Sequence, residues 1–194
     1  MPAKTKKIVE ATVNIYNGGK GFRKKALSFT IFYAYRLPIP MKLTSPAFAD
    51  KIPVPIQYTC KGENVSPPLE FIDVPKEAKS LVLIVEDSDS ADKRIHWLVY
   101  NIPGDCTHFN EGKSSKDAMQ GICSDGVPGY QGPCPKQFKG IHRFSFRLLA
   151  LDSMLPDNPL ADSTEIQKRM NGHILDSAEL VGVADGEQVS ESVS

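Results

Sequence analysis

Several features are scarce in this chain, and each absence excludes a class of protein. No stretch approaches the roughly 18 consecutive apolar residues that a membrane-spanning helix needs, so the sequence predicts no transmembrane segment. The 23 Lys and Arg residues balance the 23 Asp and Glu residues, which gives no sign of a nucleic-acid partner. The four cysteines include no C-x-x-C pair, which argues against a zinc site, and we predict no cofactor.

The first 40 residues differ in composition from the rest. They contain eight Lys or Arg residues and one acid, a net charge of +7, so the remainder carries −7. Residues 26–39 form the most apolar stretch here, but polar residues and Pro38 interrupt it and no small-x-small cleavage site follows. We predict a basic N-terminal extension at 1–40, disordered or a weak targeting segment, a single domain at 41–188 and a polar tail at 189–194.

The cysteines bear on the cellular compartment. Cys60, Cys106, Cys123 and Cys134 allow three pairings if two disulfides form. Cys106 and Cys123 both lie in loop-like sequence, and they are the first choice for a pair. We expect a cytoplasmic location, or a periplasmic or secreted one if disulfides form. The sequence leaves the oligomeric state open, a homodimer included.

Short apolar segments between turn residues indicate a mainly β protein. Fifteen prolines and fourteen glycines divide the chain into such segments. The predicted strands are 81–85, 97–102 and 144–151, with weaker candidates at 56–59 and 69–71. In the strand at 144–151, Phe144, Phe146 and Leu148 alternate with Ser145 and Arg147, which is the period of two that a strand requires.

The C-terminal part predicts at least one helix. Asp162 or Ser163 can cap its start, Glu165 suits the positive end of the helix dipole, and Ile166 and Met170 share one face. Gly172 is expected to end it. Residues 173–183 predict a second short helix or a strand.

Polar residues follow or precede the three strong strands. Asp87 and Asp89 come after the strand at 81–85, and His96 precedes the next strand. A hairpin of these strands places all three side chains at one end of the sheet, and His142 joins them if its strand enters from that end. Such convergence of polar groups on an apolar scaffold is typical of a small-ligand pocket.

Each of these signals also has a simpler explanation. An Asp pair after a strand is more often turn chemistry, and a lone histidine is more often structural, as we expect for His108 and His173. The loop at 126–135 is rich in glycine and proline, so it can present backbone N–H groups to an anion, but rigid loops in general look similar.

A set of motifs in a fixed order resembles the phosphatidylethanolamine-binding-protein family, especially its bacterial and archaeal Raf-kinase-inhibitor-like branch. The motifs are SPAF at 45–48, YTCKGENVSPPL at 58–69, DSD at 87–89, HWLVYNIP at 96–103, GYQGPCP at 129–135, HRF at 142–144, GHIL at 172–175 and AELVG at 178–182. They cover about residues 41–185, and residues 1–40 have no counterpart.

The resemblance implies an antiparallel β-sandwich with Greek-key connections and one or two peripheral C-terminal helices. It also implies non-enzymatic binding of a phosphate or phosphoethanolamine type head group, with a kinase or a protease as a further partner. The ligand-binding residues it implies are Asp87, Asp89, His96, Gly132, Pro133 and His142. In this picture Gly132 offers its N–H to the phosphate, and Asp87 accepts from the ammonium end or orients His96.

An enzyme is the alternative. Asp87, Asp89, His96 and His142 could support a metal-assisted hydrolase. The chain also departs from the family pattern. Asp87–Ala91 reads DSDSA where the family has Asp-Pro-Asp-x-Pro, which predicts a looser loop, and Phe144 stands where a tyrosine is common.

Overall fold

Nine strands, one α-helix and two short 3-10 turns form residues 39–186, which are the residues that the computed structural model describes. The elements in chain order are β1 Lys42–Thr44, β2 Ile52–Pro53, a 3-10 turn Ile56–Tyr58, β3 Leu69–Ile72, β4 Ser80–Asp87, β5 Ile95–Pro103, β6 His108–Phe109, β7 Met119–Gln120, a 3-10 turn Pro135–Gln137, β8 Ile141–Leu151, α1 Ser163–Met170 and β9 Ile174–Asp185.

The strands form two sheets. A three-stranded sheet has the order β1-β3-β6, and a six-stranded sheet has the order β2-β9-β8-β4-β5-β7. All pairs are antiparallel except β2 with β9. The predicted mainly β fold of packed sheets is confirmed, with one helix among residues 39–186, and the Greek-key connections stay a prediction.

Both faces of the six-stranded sheet are covered, which explains the continuous apolar sequence of β4. Leu81, Leu83 and Val85 belong to the core shared with the three-stranded sheet. Val82 and Ile84 belong to a second core on the opposite face, under α1. A strand buried on both faces has no reason to alternate apolar with polar residues.

The strand β8 keeps the predicted alternation. Phe144, Phe146 and Leu148 point into the core between the sheets and are fully buried. Arg147 points to the opposite face, where it pairs with Glu86. The period of two therefore indicated the correct buried face.

The helix and its cap follow the prediction. The Asp162 side chain accepts a hydrogen bond from the Glu165 N–H at 2.8 Å, and Ile166 and Met170 are buried against the second core. The helix ends at Met170, two residues before Gly172, whose φ is +84°. Of the two options for residues 173–183, the strand is correct.

The predicted strand at 56–59 is wrong. Tyr58 N–H donates to the Pro55 carbonyl and Thr59 N–H to the Ile56 carbonyl, which closes a 3-10 turn. The Thr59 hydroxyl also donates to the Ile56 carbonyl at 2.7 Å. These local hydrogen bonds outweigh the β propensity of Ile56, Tyr58 and Thr59.

Most of the predicted extension at 1–40, and the tail at 189–194, lie outside the described residues. Within residues 39–186, no helix has the length and apolar character that crossing a membrane requires.

We expect a chain that starts at Met41 to unfold within about 3 °C of the full chain, because the core between the sheets draws its buried residues from positions 41–184. Met41 is itself buried, and its backbone N–H donates to Asp176 at 2.9 Å, a contact that a new α-amino group keeps. Thermal unfolding of both chains tests this. A drop of 10 °C or more would show that residues 1–40 are part of the folded domain.

Candidate functional site

The candidate site lies at the ends of three neighbouring strands, β4, β5 and β8. In β4, Asp87 is paired with Phe144 of β8 and Glu86 with Ile95 of β5. The strand β4 therefore ends where its two antiparallel neighbours begin. This register brings Asp87, His96 and His142 to one end of the six-stranded sheet, as predicted.

The Asp87 carboxylate is buried and fully engaged in hydrogen bonds. Its Oδ1 accepts from the N–H groups of Asp89 at 3.0 Å and Ser90 at 3.1 Å. Its Oδ2 lies 2.7 Å from Nδ1 of His142. Since only 4% of the residue is exposed, these three contacts replace the water that a buried carboxylate needs.

The loop after β4 is well held, contrary to the expectation of a looser loop. The Ser90 hydroxyl donates to the Asp87 carbonyl at 2.9 Å and accepts from Arg94 N–H at 2.8 Å. Ser88 N–H donates to the Arg143 carbonyl at 2.9 Å, a bond that proline could not make. Serine hydrogen bonds thus supply the restraint that the absent prolines do not.

Aromatic packing and a carboxylate fix the position of His142. Its ring stacks on Phe138 with a centroid distance of 4.2 Å and an interplanar angle of 24°. Because a carboxylate accepts hydrogen bonds, the bond to Asp87 places a proton on Nδ1. The Nε2 atom is the ring nitrogen left for a ligand.

His96 is held in a similar way by the backbone. Its Nδ1 lies 2.8 Å from the Gln131 carbonyl oxygen, and Gln131 N–H donates back to the His96 carbonyl at 2.9 Å. The ring packs edge-on against Phe144, with centroids 5.0 Å apart. The predicted contact between Asp87 and His96 is therefore wrong, because Asp87 bonds His142 instead.

The carbonyl partner determines the proton position on His96. A carbonyl oxygen only accepts, so the hydrogen of this bond is on Nδ1. Burial lowers the pKa of His96, which favours the neutral ring. Its Nε2 then carries a lone pair, and the His96 side chain is part of the cavity wall.

These side chains line a small cavity, here called the first cavity, of about 170 Å³. Asp87, His96 and His142 form part of its wall together with Arg94 and Phe138. No carboxylate among the described residues pairs with the guanidinium of Arg94, so its charge is available to an anion. Our prediction missed Arg94, which lies one residue before β5 and two residues before His96.

Gly132 has a different role from the predicted one. Its N–H donates to Asn64 Oδ1 at 2.8 Å and is not free for a phosphate. A Cβ at this position would lie 2.0 Å from the Tyr58 carbonyl oxygen, so only glycine allows the two loops to approach. Pro133 is buried behind this contact, where its carbonyl accepts from Cys60 N–H at 3.1 Å.

Asp89 faces away from the first cavity. Its carboxylate bonds the backbone N–H of Arg143 at 2.8 Å and two nitrogens of the Arg143 guanidinium, at 2.9 and 2.6 Å. These hydrogen bonds lower the pKa of Asp89 to about 2. His108 and His173 line neither this cavity nor the one that adjoins it.

The residues of the predicted hydrolase do not converge on one point. The Asp89 carboxylate accepts hydrogen bonds from Arg143, and both oxygens of Asp87 already accept hydrogen bonds. Within residues 39–186, His, Cys, Asp and Glu side chains form no group of three that could hold a metal ion.

The cysteine pairing differs from the first choice. Cys60 and Cys134 form a disulfide across 74 residues of sequence, while Cys106 and Cys123 are free. The pair Cys106–Cys123 was therefore wrong. Cys123 is buried, and burial raises the pKa of its thiol to about 11, so it stays protonated at neutral pH. The disulfide joins the two loops beside the site, and Cys134 lines the first cavity.

Comparison with known proteins agrees with this architecture. The family profile described as Phosphatidylethanolamine-binding protein matches residues 44–185. The chain belongs to this family. A protein named UPF0098 of Methanothermobacter thermautotrophicus is 44% identical over 149 residues, which cover 74% of this chain and 97% of that protein. A candidate lipoprotein of Mycobacterium tuberculosis, LppC, is 34% identical over 148 residues, which cover 76% of this chain and 73% of that protein.

Two solved structures share the fold. A phosphatidylethanolamine-binding-protein homologue from Chlamydia trachomatis aligns with a TM-score of 0.72 and 42% identity, over 76% of this chain and 99% of that one. YbcL of E. coli aligns with a TM-score of 0.71 over 77% and 100% of the two chains, and at 24% identity this likeness shows the fold alone. Membership of the phosphatidylethanolamine-binding-protein family supports a ligand-binding role rather than a hydrolytic one.

Replacing both Cys60 and Cys134 with serine should lower the free energy of unfolding by about 3–4 kcal/mol, because the 74-residue separation makes the bond a strong restraint on the unfolded chain. Cys106→Ser removes a free thiol and is the control, with an expected change below about 0.5 kcal/mol. Urea unfolding without reductant measures both variants. Equal midpoints for the double variant and the parent would contradict the Cys60–Cys134 pairing.

Proposed function

We propose that the chain binds a phosphate-type anion, free or as part of a phosphoethanolamine head group, in the first cavity and does not transform it chemically. The observation that carries this proposal is that two imidazoles and a guanidinium belong to the wall of one cavity. They are the side chains of His96, His142 and Arg94. Arginine and histidine are strong partners of phosphate oxygens.

Preorganisation supports this function. The Nδ1 atoms of His96 and His142 are fixed by Gln131 and Asp87, so neither ring has to turn when a ligand arrives. Binding to fixed side chains avoids the entropy cost of ordering them. The stacking of His142 on Phe138 restricts that ring further.

The position of the protons determines which anions fit. A neutral His96 presents a lone pair at Nε2, which repels a fully deprotonated phosphate oxygen and accepts from a P–O–H group. Phosphate monoesters have a second pKa near 6, so close to neutral pH a fraction carries such a hydrogen. We infer that His96 accepts this hydrogen while Arg94 pairs with the charged oxygens.

A hydrolase has less support. Asp87 cannot act as a free base or metal ligand while its carboxylate accepts three hydrogen bonds. Cys134, the cysteine in the wall of the first cavity, is in a disulfide and is therefore not a free nucleophile. Regulation of a kinase or a protease stays a prediction that no contact in the site favours.

The disulfide is informative about the cellular compartment of the protein. Disulfides persist mainly in oxidising compartments, so Cys60–Cys134 favours the periplasmic or secreted alternative over the cytoplasmic one. The printed description of the Mycobacterium tuberculosis relative as a candidate lipoprotein is in line with this proposal. Four free thiols in protein isolated from its native cell would exclude it.

His96→Ala and Arg94→Ala should each weaken binding of inorganic phosphate about ten- to a hundredfold, because each removes one partner of a charge-assisted contact worth roughly 1.5–3 kcal/mol. Calorimetric titration at a stated, low salt concentration measures the dissociation constants. His108→Ala is the matched control, since His108 is exposed, its ring bonds Thr107, and it lines neither cavity, so the affinity of this variant should equal that of the parent. Unchanged affinity in both site variants would exclude the first cavity as the phosphate site.

A further inference from the structure

The Cys60–Cys134 disulfide lies in the wall of two adjoining cavities. The second cavity has a volume of about 480 Å³, against about 170 Å³ for the first, and both cysteines line it. Cys134 and His96 line both cavities, so the two share part of their wall. The free cysteines, Cys106 and Cys123, line neither. Redox chemistry in this wall therefore concerns the Cys60–Cys134 bond.

Hydrogen bonds hold the loop before Cys134 independently of the disulfide. Gly132 N–H and the Tyr130 hydroxyl both donate to the loop at 58–64, at 2.8 Å each. The carbonyl that orients His96 lies between these two residues in the sequence. We therefore expect His96 to keep its position when the disulfide is reduced.

The segment after Cys134 is held differently. Within the part of the chain that the structure describes, the backbone hydrogen bonds of residues 134–139 stay inside this segment, and the next tie to another segment is the bond that the Gly140 carbonyl accepts at 2.7 Å. The segment carries Phe138, whose ring stacks on His142. The disulfide is therefore the covalent anchor at the start of the segment that packs on His142.

The two sulfurs differ in accessibility. Cys60 is exposed and Cys134 is half-buried, so an incoming thiolate reaches the Cys60 sulfur first. Attack at Cys60 makes Cys134 the leaving group, and a nearby positive charge favours a leaving thiolate. Arg94 lines both cavities together with Cys134 and supplies such a charge.

We infer that the Cys60–Cys134 bond is a reversible redox switch of the site, which a dithiol opens and which acts through Phe138 on His142. The inference rests on the proposed function. When the bond is open, the segment at 134–139 has lost its anchor and no longer holds the His142 ring in place, so the first cavity binds phosphate more weakly.

The chemical step is a thiol–disulfide exchange. A thiolate of the dithiol attacks Cys60 Sγ and forms a mixed disulfide, while Cys134 leaves with the electron pair and takes up a proton. The second thiol of the reductant loses its proton and displaces Cys60 from the mixed disulfide. Two cysteine thiols result, and the dithiol is oxidised to a disulfide.

Such a switch couples ligand binding to the cellular compartment. An oxidising compartment keeps the bond formed and the site complete, whereas the thiols of a reducing cytoplasm keep it open. The chain then reaches its full affinity only outside the cytoplasm.

Titration of inorganic phosphate into the full chain, oxidised or treated with dithiothreitol, tests the switch. Reduction should weaken the affinity about two- to tenfold, the range expected for ordering one side chain on binding, and reoxidation should restore it. The double variant Cys60→Ser, Cys134→Ser should have the affinity of the reduced chain and should not respond to dithiothreitol. Cys106→Ser is the matched control and should respond as the parent does.

Phe138→Ala tests the route of the coupling while the disulfide is intact. The oxidised variant should bind phosphate about as weakly as the reduced parent, and reduction should then have little further effect. In NMR spectra of the ligand-free parent, reduction should move the ring signals of His142 and leave those of His96 in place. Trp97, 2% exposed and packed on Tyr130, should keep its emission wavelength, because the change is local.

The outcomes separate the two proposals. Equal affinity of the oxidised and reduced chains, a Phe138→Ala variant that still loses affinity on reduction, His96 signals that move together with those of His142, or a shift of the Trp97 emission that marks global unfolding would overturn this inference alone. No binding of phosphate to the oxidised chain would overturn the proposed function and this inference with it.

Discussion

The site depends on one buried carboxylate. Asp87 ends β4, caps its own loop through Asp89 N–H and Ser90 N–H, and fixes His142 at the start of β8. A buried carboxylate without these partners would cost several kcal/mol. The hydrogen bonds to Asp87 therefore hold the loop and the His142 ring in place. The same bonds that stabilise Asp87 thus orient an imidazole in the wall of the first cavity.

A second set of contacts holds the opposite wall of the site. The loop at 129–138 carries Gln131, which orients His96, and Phe138, which stacks on His142. This loop is tied to the segment around Cys60 by the disulfide and by the Gly132 contact with Asn64. Two loops distant in sequence therefore act as one rigid wall, and its polar surface continues into the second cavity.

Local sequence patterns were sufficient to predict much of this architecture. The apolar sequence of β4, the alternation in β8 and the cap at Asp162 are properties of neighbouring residues, and each led to the correct element. The juxtaposition of Asp87, His96 and His142 was also predictable, because antiparallel neighbours of a strand begin where it ends.

What the sequence could not provide were contacts decided by tertiary packing. The partners of Asp87 and His96, the close approach at Gly132 and the pairing of Cys60 with Cys134 join segments up to 74 residues apart. No local sequence pattern predicts that Arg94 lacks a carboxylate partner among the described residues. The same holds for the bonds between Asp89 and Arg143. The resemblance to relatives supplied the family and the fold, but it assigned to a ligand the Gly132 N–H, which donates to Asn64, and the Asp89 carboxylate, which bonds Arg143.

The proton positions on the two histidines are the central claim, and nitrogen NMR of the imidazole rings tests them directly. In the free protein at pH 7.5, the one-bond couplings should show His96 as neutral and protonated on Nδ1. Saturating phosphate should shift Nε2 of His96 and of His142 as these atoms enter hydrogen bonds, while the His108 signals stay in place. A free His96 protonated on Nε2, or Nε2 signals that do not respond to phosphate, would contradict the account.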